Sequence, residues 1–509
     1  MGNRSPARAE FGSRLAAARL RAGYPTQQAW ADALNDLAET PTLTRAEVGR
    51  WERGVRIPDA WLPLIAESLR VPLPELRRAA ARARARTPSA VGTATSSKPS
   101  SASRGEGEPA VAAPASAVLP AVRADEGLDV AWDAAGLRQL LEGWSHPMLD
   151  RRSFLTIAGA ALTQPAWHAL DHPVPSLAAG RSSEARVEGR LLDLIEDIVA
   201  HAQRLDDQQG GGAADFVEAQ FTHVAQLLRR ASYDSRSGRR LAAAAAQLAQ
   251  TAGFMAYDAG RDGAAQRWYL TGLRAAHAAG DPGLSASILG LMSNQAVTLG
   301  LRADATQLGS AAAESASHAP PIVQALLASR GSLAYAASGD LTGYRHALDR
   351  ISSALGRAET AGEPAPRWAA YVSATELDAI TGRGMVLLAS QMPTRAPHLL
   401  AEAEQLLTAR AHTDPDEVPQ RSALRHSAWL ALVHAQTGDL DQAVAAGRAC
   451  LPRLRTVNSV RSARLLGRLR RELAPHASRS TAVRRLLSDL DAPLSPSATA
   501  DSGSTRISG

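Results

Sequence analysis

Apolar residues recur at helical spacing through almost the whole chain, and no stretch alternates with the period of a strand. Phe11, Leu15, Ala18 and Leu20 mark one amphipathic helix; Gln27, Gln28, Trp30, Ala33, Leu34 and Leu37 mark a second, ending near Asn35 to Ala38. The run Thr44-Arg45-Ala46-Glu47-Val48-Gly49-Arg50-Trp51-Glu52-Arg53-Gly54 predicts a third with both ends marked. Thr44 is placed to accept from the Glu47 N–H while the Glu47 carboxylate reaches back to the Thr44 N–H, and Gly54 supplies the stop. Pro58-Asp59 opens a fourth helix carrying Trp61, Leu62, Leu64, Ile65 and Leu69, and Pro74-Glu75 a fifth beside Leu73 and Leu76. Residues 1–86 therefore predict a small all-α bundle.

In the third helix Val48 and Trp51 stand three apart and bury together, which leaves Arg45, Ala46, Gly49, Arg50 and Arg53 opposite. A helix about 10–12 Å across fits the major groove, and arginine reads the guanine edge with two donors. The plainer alternative is a surface helix whose arginines are solvated. Gln27 or Gln28 at the second helix, Val48, Arg50-Trp51-Glu52-Arg53-Gly54, Pro58 and Leu69 to Leu76 give the stretch its wider pattern. On these residues the domain resembles the helix-turn-helix domain of the phage-repressor (Xre/Cro) family. The resemblance implies that helix two crosses the DNA backbone, with Gln27 and Gln28 at the phosphates, and that helix three enters the groove with Thr44, Arg45, Ala46, Gly49, Arg50 and Arg53. One departure is the link from Asn35 to Leu43, longer than the family's turn of about three or four residues.

From residue 184 onward the pattern repeats. Gly260-Arg261-Asp262, Gly300-Leu301-Arg302, Gly339-Asp340-Leu341 and Gly438-Asp439-Leu440 each fall between amphipathic stretches, with a degenerate unit around Gln391 to Ala396. Gly253, Ala296 and Ala443 mark where two helices pack closest. At Leu430 to Leu451, where Gly438, Leu440, Ala443 and Leu451 fit the pattern, the chain resembles tetratricopeptide repeats; this implies an α-solenoid of helix pairs over 184–490. The alternative is an irregular helical array without a common groove. Tyr257, Asp258 and Arg261, with Trp268 and Tyr269 after them, are the richest polar and aromatic cluster, and are candidates to meet a peptide, ligand or protein partner. Trp268 and Tyr269 equally suit a core. Residues 461–490, rich in Arg and Leu, predict terminal capping helices, and 491–509 a disordered tail.

Between these parts, 87–125 is Ala, Ser, Pro, Gly and Thr with almost no large apolar residue and predicts a flexible linker. Residues 126–183 hold Trp132, Leu137, Leu140, Leu141, Trp144, Phe154 and Trp167 in short runs broken at Pro147, Pro165, Pro173 and Pro175, a helical lead-in. His168 and His172 are four apart, but Pro173 ends the helix and no third metal ligand is evident, so they read as surface histidines. Asp150-Arg151-Arg152-Ser153-Phe154-Leu155 mimics a twin-arginine export signal at an internal position; the expected role is a helix start.

Charge sharpens the picture. Residues 1–86 hold fifteen arginines and nine acids, which accounts for the whole net charge of +6. Arg77, Arg78, Arg82, Arg84 and Arg86 extend the basic character past the bundle, where they suit phosphates or solvent. Cys450 is the single cysteine, which excludes an intramolecular disulfide and fits a reducing cytoplasm. No apolar run is long enough for a bilayer. No Walker loop, Gly-x-Ser-x-Gly elbow, His-Glu-x-x-His or paired cysteine points to catalysis or a cofactor. The two resemblances together imply a cytoplasmic transcriptional regulator of the kind found in high-GC sporulating bacteria. Its partners would be double-stranded DNA, a second copy of the chain, and a partner in the repeat groove, with no membrane role. The alternative function is an interaction scaffold whose head no longer reads DNA.

Overall fold

The computed structural model describes residues 6–38, 43–55, 57–58, 61–69, 71, 76, 79–80, 83, 130–143, 156–177, 186–362, 364–414, 417 and 419–494. The linker at 87–125, the arginines at 77, 78, 82, 84 and 86, the Arg151-Arg152 pair and the end of the tail lie outside them. Among the described residues every regular element is a helix, accompanied by two isolated bridges. The chain forms two compact units, Met1–Ala121 and Val122–Gly509.

In the first unit, α1 (Pro6–Arg21), α2 (Gln27–Ala38), α3 (Arg45–Glu52) and α4 (Leu62–Leu69) enclose a core of Phe11, Leu15, Trp30, Leu34, Leu43, Val48, Trp51, Leu62, Ile65 and Leu69. Leu20 and Leu37, expected on the buried faces, are exposed at the ends of their helices. The three tryptophans meet in series: Trp30 packs edge-on against Trp51 at 6.4 Å, Trp51 lies 6.1 Å from Trp61, and Trp30 Nε1 donates to Ser68 Oγ. α1 and α3 touch so closely at Gly12 that a Cβ there would lie 2.4 Å from the Glu52 carbonyl oxygen, so only glycine fits. The long link after α2 is closed by one side chain. Asn35 donates to the Leu43 carbonyl and accepts from the Leu43 N–H, both at 2.8 Å, which fixes where the chain re-enters before α3.

The second unit begins with α5 (Ala134–Gly143) and α6 (Ala160–Asp171). Pro165, expected to break its segment, sits inside α6. This lead-in is built into the core of the helical array: Leu137, Leu141, Leu162, Ala166 and Leu177 are buried in it. Gln266 holds both the N–H and the carbonyl of Ile157, Asp304 accepts from the Gly159 N–H, and Arg274 stacks 4.4 Å over Trp132 while donating to the Val130 and Ala131 carbonyls.

The array itself consists of α7 (Gly189–Gln209), α8 (Ala214–Arg230), α9 (Ser235–Asp258), α10 (Asp262–Ala279), α11 (Pro282–Thr298), α12 (Arg302–Ser315), α13 (Pro321–Ser338), α14 (Leu341–Ala361), α15 (Ala374–Gln391), α16 (Ala396–Ala411), α17 (Gln420–Thr437), α18 (Leu440–Leu454), α19 (Val460–Leu473) and α20 (Thr481–Leu494). The helix α20 carries regular structure into the expected tail as far as Leu494. Neighbours pack in pairs, α9 on α10 through α17 on α18, and the first members of successive pairs also touch one another. Gly339-Asp340 and Gly438-Asp439 show how one helix stops and the next starts. Each glycine takes a left-handed conformation, φ 73° and 85°. The following aspartate N–H bonds back to Tyr335 or His434, and its carboxylate accepts from the N–H of Gly343 or Gln442.

The row of helices closes on itself. α7 packs on α17, and α9 packs on α19, so the helices near the two ends of the array meet. Arg421 of α17 spans the seam to Asp206 at 3.1 Å and Asp207 at 2.8 Å, and the Asn458 backbone pairs with Gln209 and Gly211. The expected capping helix α19 is thus part of the closure. No helix among the described residues is long and apolar enough to cross a membrane.

Candidate functional site

The exposed face of α3 follows from its core side. With Val48 and Trp51 buried, Thr44, Arg45, Ala46, Arg50 and Arg53 point to solvent. Thr44 caps the helix, its hydroxyl accepting from the Glu47 N–H, and Gly54 ends it at φ 67° with its N–H on the Trp51 carbonyl. Arg50 Nη1 donates to Glu47 Oε2 at 2.6 Å and leaves 53% of its side chain exposed. Two candidates differ from expectation. Gly49 is buried, because Gln27 and Arg53 fold over it: a Cβ would meet Arg53 Nη1 at 2.9 Å and Gln27 Oε1 at 3.1 Å. Gln27 turns inward and donates to Glu52 Oε2 at 2.6 Å, whereas Gln28 remains exposed and donates to Asp32. Glu52 also holds Arg19 Nε at 2.6 Å, so one carboxylate ties α1, α2 and α3 together.

The second expected cluster is interior. Trp268 packs edge-on against Phe221 at 4.9 Å, Tyr269 is fully buried with its ring over Gly253, and Tyr257 donates to or accepts from Thr298. Asp258 is buried 3.5 Å from Arg461, whose guanidinium lies 3.6 Å over the Tyr257 ring. These four serve the core and the closure because helices stack on both sides of α9 and α10; Arg261 stays half exposed near Glu218. The lead-in histidines cluster beside Trp132, half-buried His168 at 5.9 Å and His172 at 6.2 Å, with His277 at 5.4 Å, and His172 stays on the surface as expected. Among the described residues no group of three or more His, Cys, Asp or Glu could hold a metal. Cys450 is buried between α17 and α18, its thiol pushed up to about 12 by burial.

The feature that sequence reasoning missed is a cavity of about 370 Å³ inside the closed array. Its wall takes residues from α7, α9, α11, α13, α15, α16, α17 and α19. Six arginines line it (330, 383, 410, 421, 425 and 461) against the carboxylates of Asp206, Asp207 and Glu376. Arg410 pairs with Glu376 at 3.0 Å, Arg421 with the aspartates, and Arg461 with Asp258 behind the wall. The other three have no carboxylate partner among the described residues. Arg330 is held by the Ser287 carbonyl and hydroxyl and the Tyr371 hydroxyl, and Arg383 donates to Asn294 Oδ1. Arg425 Nε and Nη1 have no hydrogen-bond partner, nor has His426 Nε2. Phe254, Leu291, Trp368 and Ile380 supply the apolar part of the wall.

Electrostatics follow the crowding. Burial, and then Arg461, draws the Arg383 guanidinium down to about 10; burial, Arg461 and Arg383 push Arg425 further below its usual range. Burial lifts Asp206 to about 7 against the pull of Arg421, and lifts Glu376 against Arg410. His426 is held neutral by burial first, then by Arg383 and Arg425.

No family model, curated protein or solved structure matches this chain.

His426 provides a pH test of this interior. An unfolded chain protonates a histidine near pH 6.5, while the native one stays neutral well below that, so the folded state loses ground as pH falls below about 6.5. In urea unfolding, the stability of wild type relative to His426→Gln is expected to drop by up to about 1.4 kcal/mol per pH unit between pH 6.5 and 5.5. Asp206 and Glu376 are present in both proteins and cancel in the difference. A difference that stays constant over that range rules out a buried neutral His426.

Proposed function

We propose that the chain is a sequence-specific DNA-binding transcriptional regulator acting in the cytoplasm, with a helix-turn-helix head and a tetratricopeptide-like solenoid body that senses a ligand or partner. The observation that carries this reading is α3. It is a short capped helix fixed from behind by Val48 and Trp51, and it displays Thr44, Arg45, Ala46, Arg50 and Arg53 on one exposed face. The concentration of the net positive charge in residues 1–86 supports it independently. In this reading Arg45 and Arg50 face base edges and Gln28 a phosphate, while Gln27 and Gly49 set the position of α3 from within. Replacing Arg50 by Ala costs about 1–3 kcal/mol of binding and relaxes base preference.

The test is selection from random duplex DNA with full-length protein beside the Arg45→Ala, Arg50→Ala double variant. The expected result is a motif enriched by the wild type and lost by the variant, and a palindrome would indicate two heads per operator. Equal enrichment of a featureless, salt-sensitive pool would overturn the reading in favour of a scaffold whose head does not read bases.

A further inference from the structure

We infer that the cavity lined by α7, α9, α11, α13, α15, α16, α17 and α19 binds a small organic phosphate, its phosphoryl group held by Arg330, Arg383 and Arg425 and its organic part lying along Phe254, Leu291, Trp368 and Ile380. This deepens the regulator reading by naming the effector's chemistry, but the site stands on its own geometry. Arg330 and Arg383 are each 6% exposed and the Nε and Nη1 of half-buried Arg425 are themselves buried, and desolvating a guanidinium is costly unless an anion or good hydrogen bonds compensate it. Carboxylates do so for Arg410, Arg421 and Arg461. No carboxylate does so for the other three: Arg330 and Arg383 are held by neutral acceptors alone, and Arg425, like Arg461, keeps two donor atoms without a hydrogen-bond partner. The array therefore maintains, in its interior, an excess of positive charge over the three carboxylates of the wall.

The form of the ligand follows from size and donor chemistry. A cavity of about 370 Å³ walled by helices from both ends of the array suits a small molecule and excludes a duplex. A single carboxylate brings one charge and two oxygens, and one arginine fork satisfies it. A phosphomonoester brings a charge near −2 and three terminal oxygens, enough to accept from several guanidinium groups at once. The aromatic and aliphatic wall leaves the rest of the ligand an apolar surface, and His426 Nε2 and Gln250 Oε1 are unpartnered polar atoms of lining residues that can set its orientation.

Thermal unfolding of the full-length protein tests this without DNA, so it fails separately from the regulator reading. The probes are phenyl phosphate, glycerol 2-phosphate and inorganic phosphate, against phenol, glycerol, sodium chloride at equal ionic strength and a short acidic peptide. The expected result is a saturable rise in Tm with the phosphate esters that the controls do not give. Arg425→Gln is expected to raise the Tm of the unliganded protein, because it removes a buried repulsion, and to weaken the ester at least about tenfold. A purely structural Arg425 would lower that Tm instead. Arg383→Gln is the second variant, read in the same way. The proposal is overturned if no ester gives a saturable shift below about 10 mM, if only the acidic peptide does, or if both glutamine variants keep the wild-type response.

Discussion

Glu52→Ala is expected to unfold the head while the melting of the body stays in place. The Glu52 carboxylate lies among three helices, taking Arg19 Nε and Gln27 Nε2 at 2.6 Å each, and the side chains of Arg19 and Glu52 are 9% and 7% exposed. Arg19 Nη1 also donates to the Tyr24 carbonyl, so the guanidinium is pinned and cannot swing out without breaking the α1–α2 turn. Truncating one partner of such a pair leaves a buried charge and costs about 3–5 kcal/mol. A domain of about 80 residues has only about 4–12 kcal/mol in total. The measurement is a melt followed by tryptophan fluorescence, to which Trp30, Trp51 and Trp61 report from the head core, beside the far-ultraviolet signal dominated by the body. The decisive control is Arg19→Met with Glu52→Met. Two packed apolar chains remove both charges together, and stability should return close to wild type. If Glu52→Ala costs less than about 1 kcal/mol, the pair is effectively solvated and its anchoring of α3 is wrong.

That pair also shows what the sequence makes visible. Local signals are legible where the physics is local. The Thr44 cap, the Gly54 stop and the burial of Val48 and Trp51 depend on neighbours on one helix, and the glycines at 260, 300, 339 and 438 all adopt positive φ at helix junctions. Gly280-Asp281 obeys the same rule outside the expected repeat spacing; its aspartate caps α11 through the Leu284 N–H. The illegible features depend on partners far apart in sequence. Arg19 and Glu52 are 33 residues apart, and Arg421 reaches back 215 residues to Asp206. Gln27 resembles a surface contact because nothing nearby announces Glu52. Trp268 and Tyr269 look available because packing on a second side is invisible until the array stacks. A signal for the cavity does exist. Arg330 follows Leu326-Leu327-Ala328-Ser329, and Arg383 lies between two glycines in a helix otherwise buried nearly all round. A charge on such a helix requires either a partner or a ligand.

Arg421→Ala is expected to cost the body about 3–5 kcal/mol and to loosen its seam. The side chain is 12% exposed and does three things at once. It pairs with Asp206 and Asp207, donates from Nε to the Asp206 carbonyl, and lies 4.3 Å over the Phe254 ring. Burial opposes its charge, yet Asp206, Asp207 and Asp258 together hold its proton more firmly than in a free guanidinium. Alanine removes the stacking and leaves two carboxylates facing each other near Asp258. The surface pair Arg470–Asp491, with side chains 51% and 55% exposed, sets the scale: Arg470→Ala should cost no more than about 1 kcal/mol. Hydrogen exchange gives the local readout, with protection expected to fall first in α7, α17 and α19 and last in α11 to α13. Loss spread evenly over the body, or a cost like that of Arg470→Ala, would show that the closure does not depend on this residue. The variant also separates architecture from recognition. Arg421→Ala opens the wall and should lower both stability and the response to phosphate esters, whereas Arg425→Gln should weaken ester binding at least about tenfold while the unliganded body becomes more stable. Only an anion site held shut by a separate ion-pair clasp gives both results.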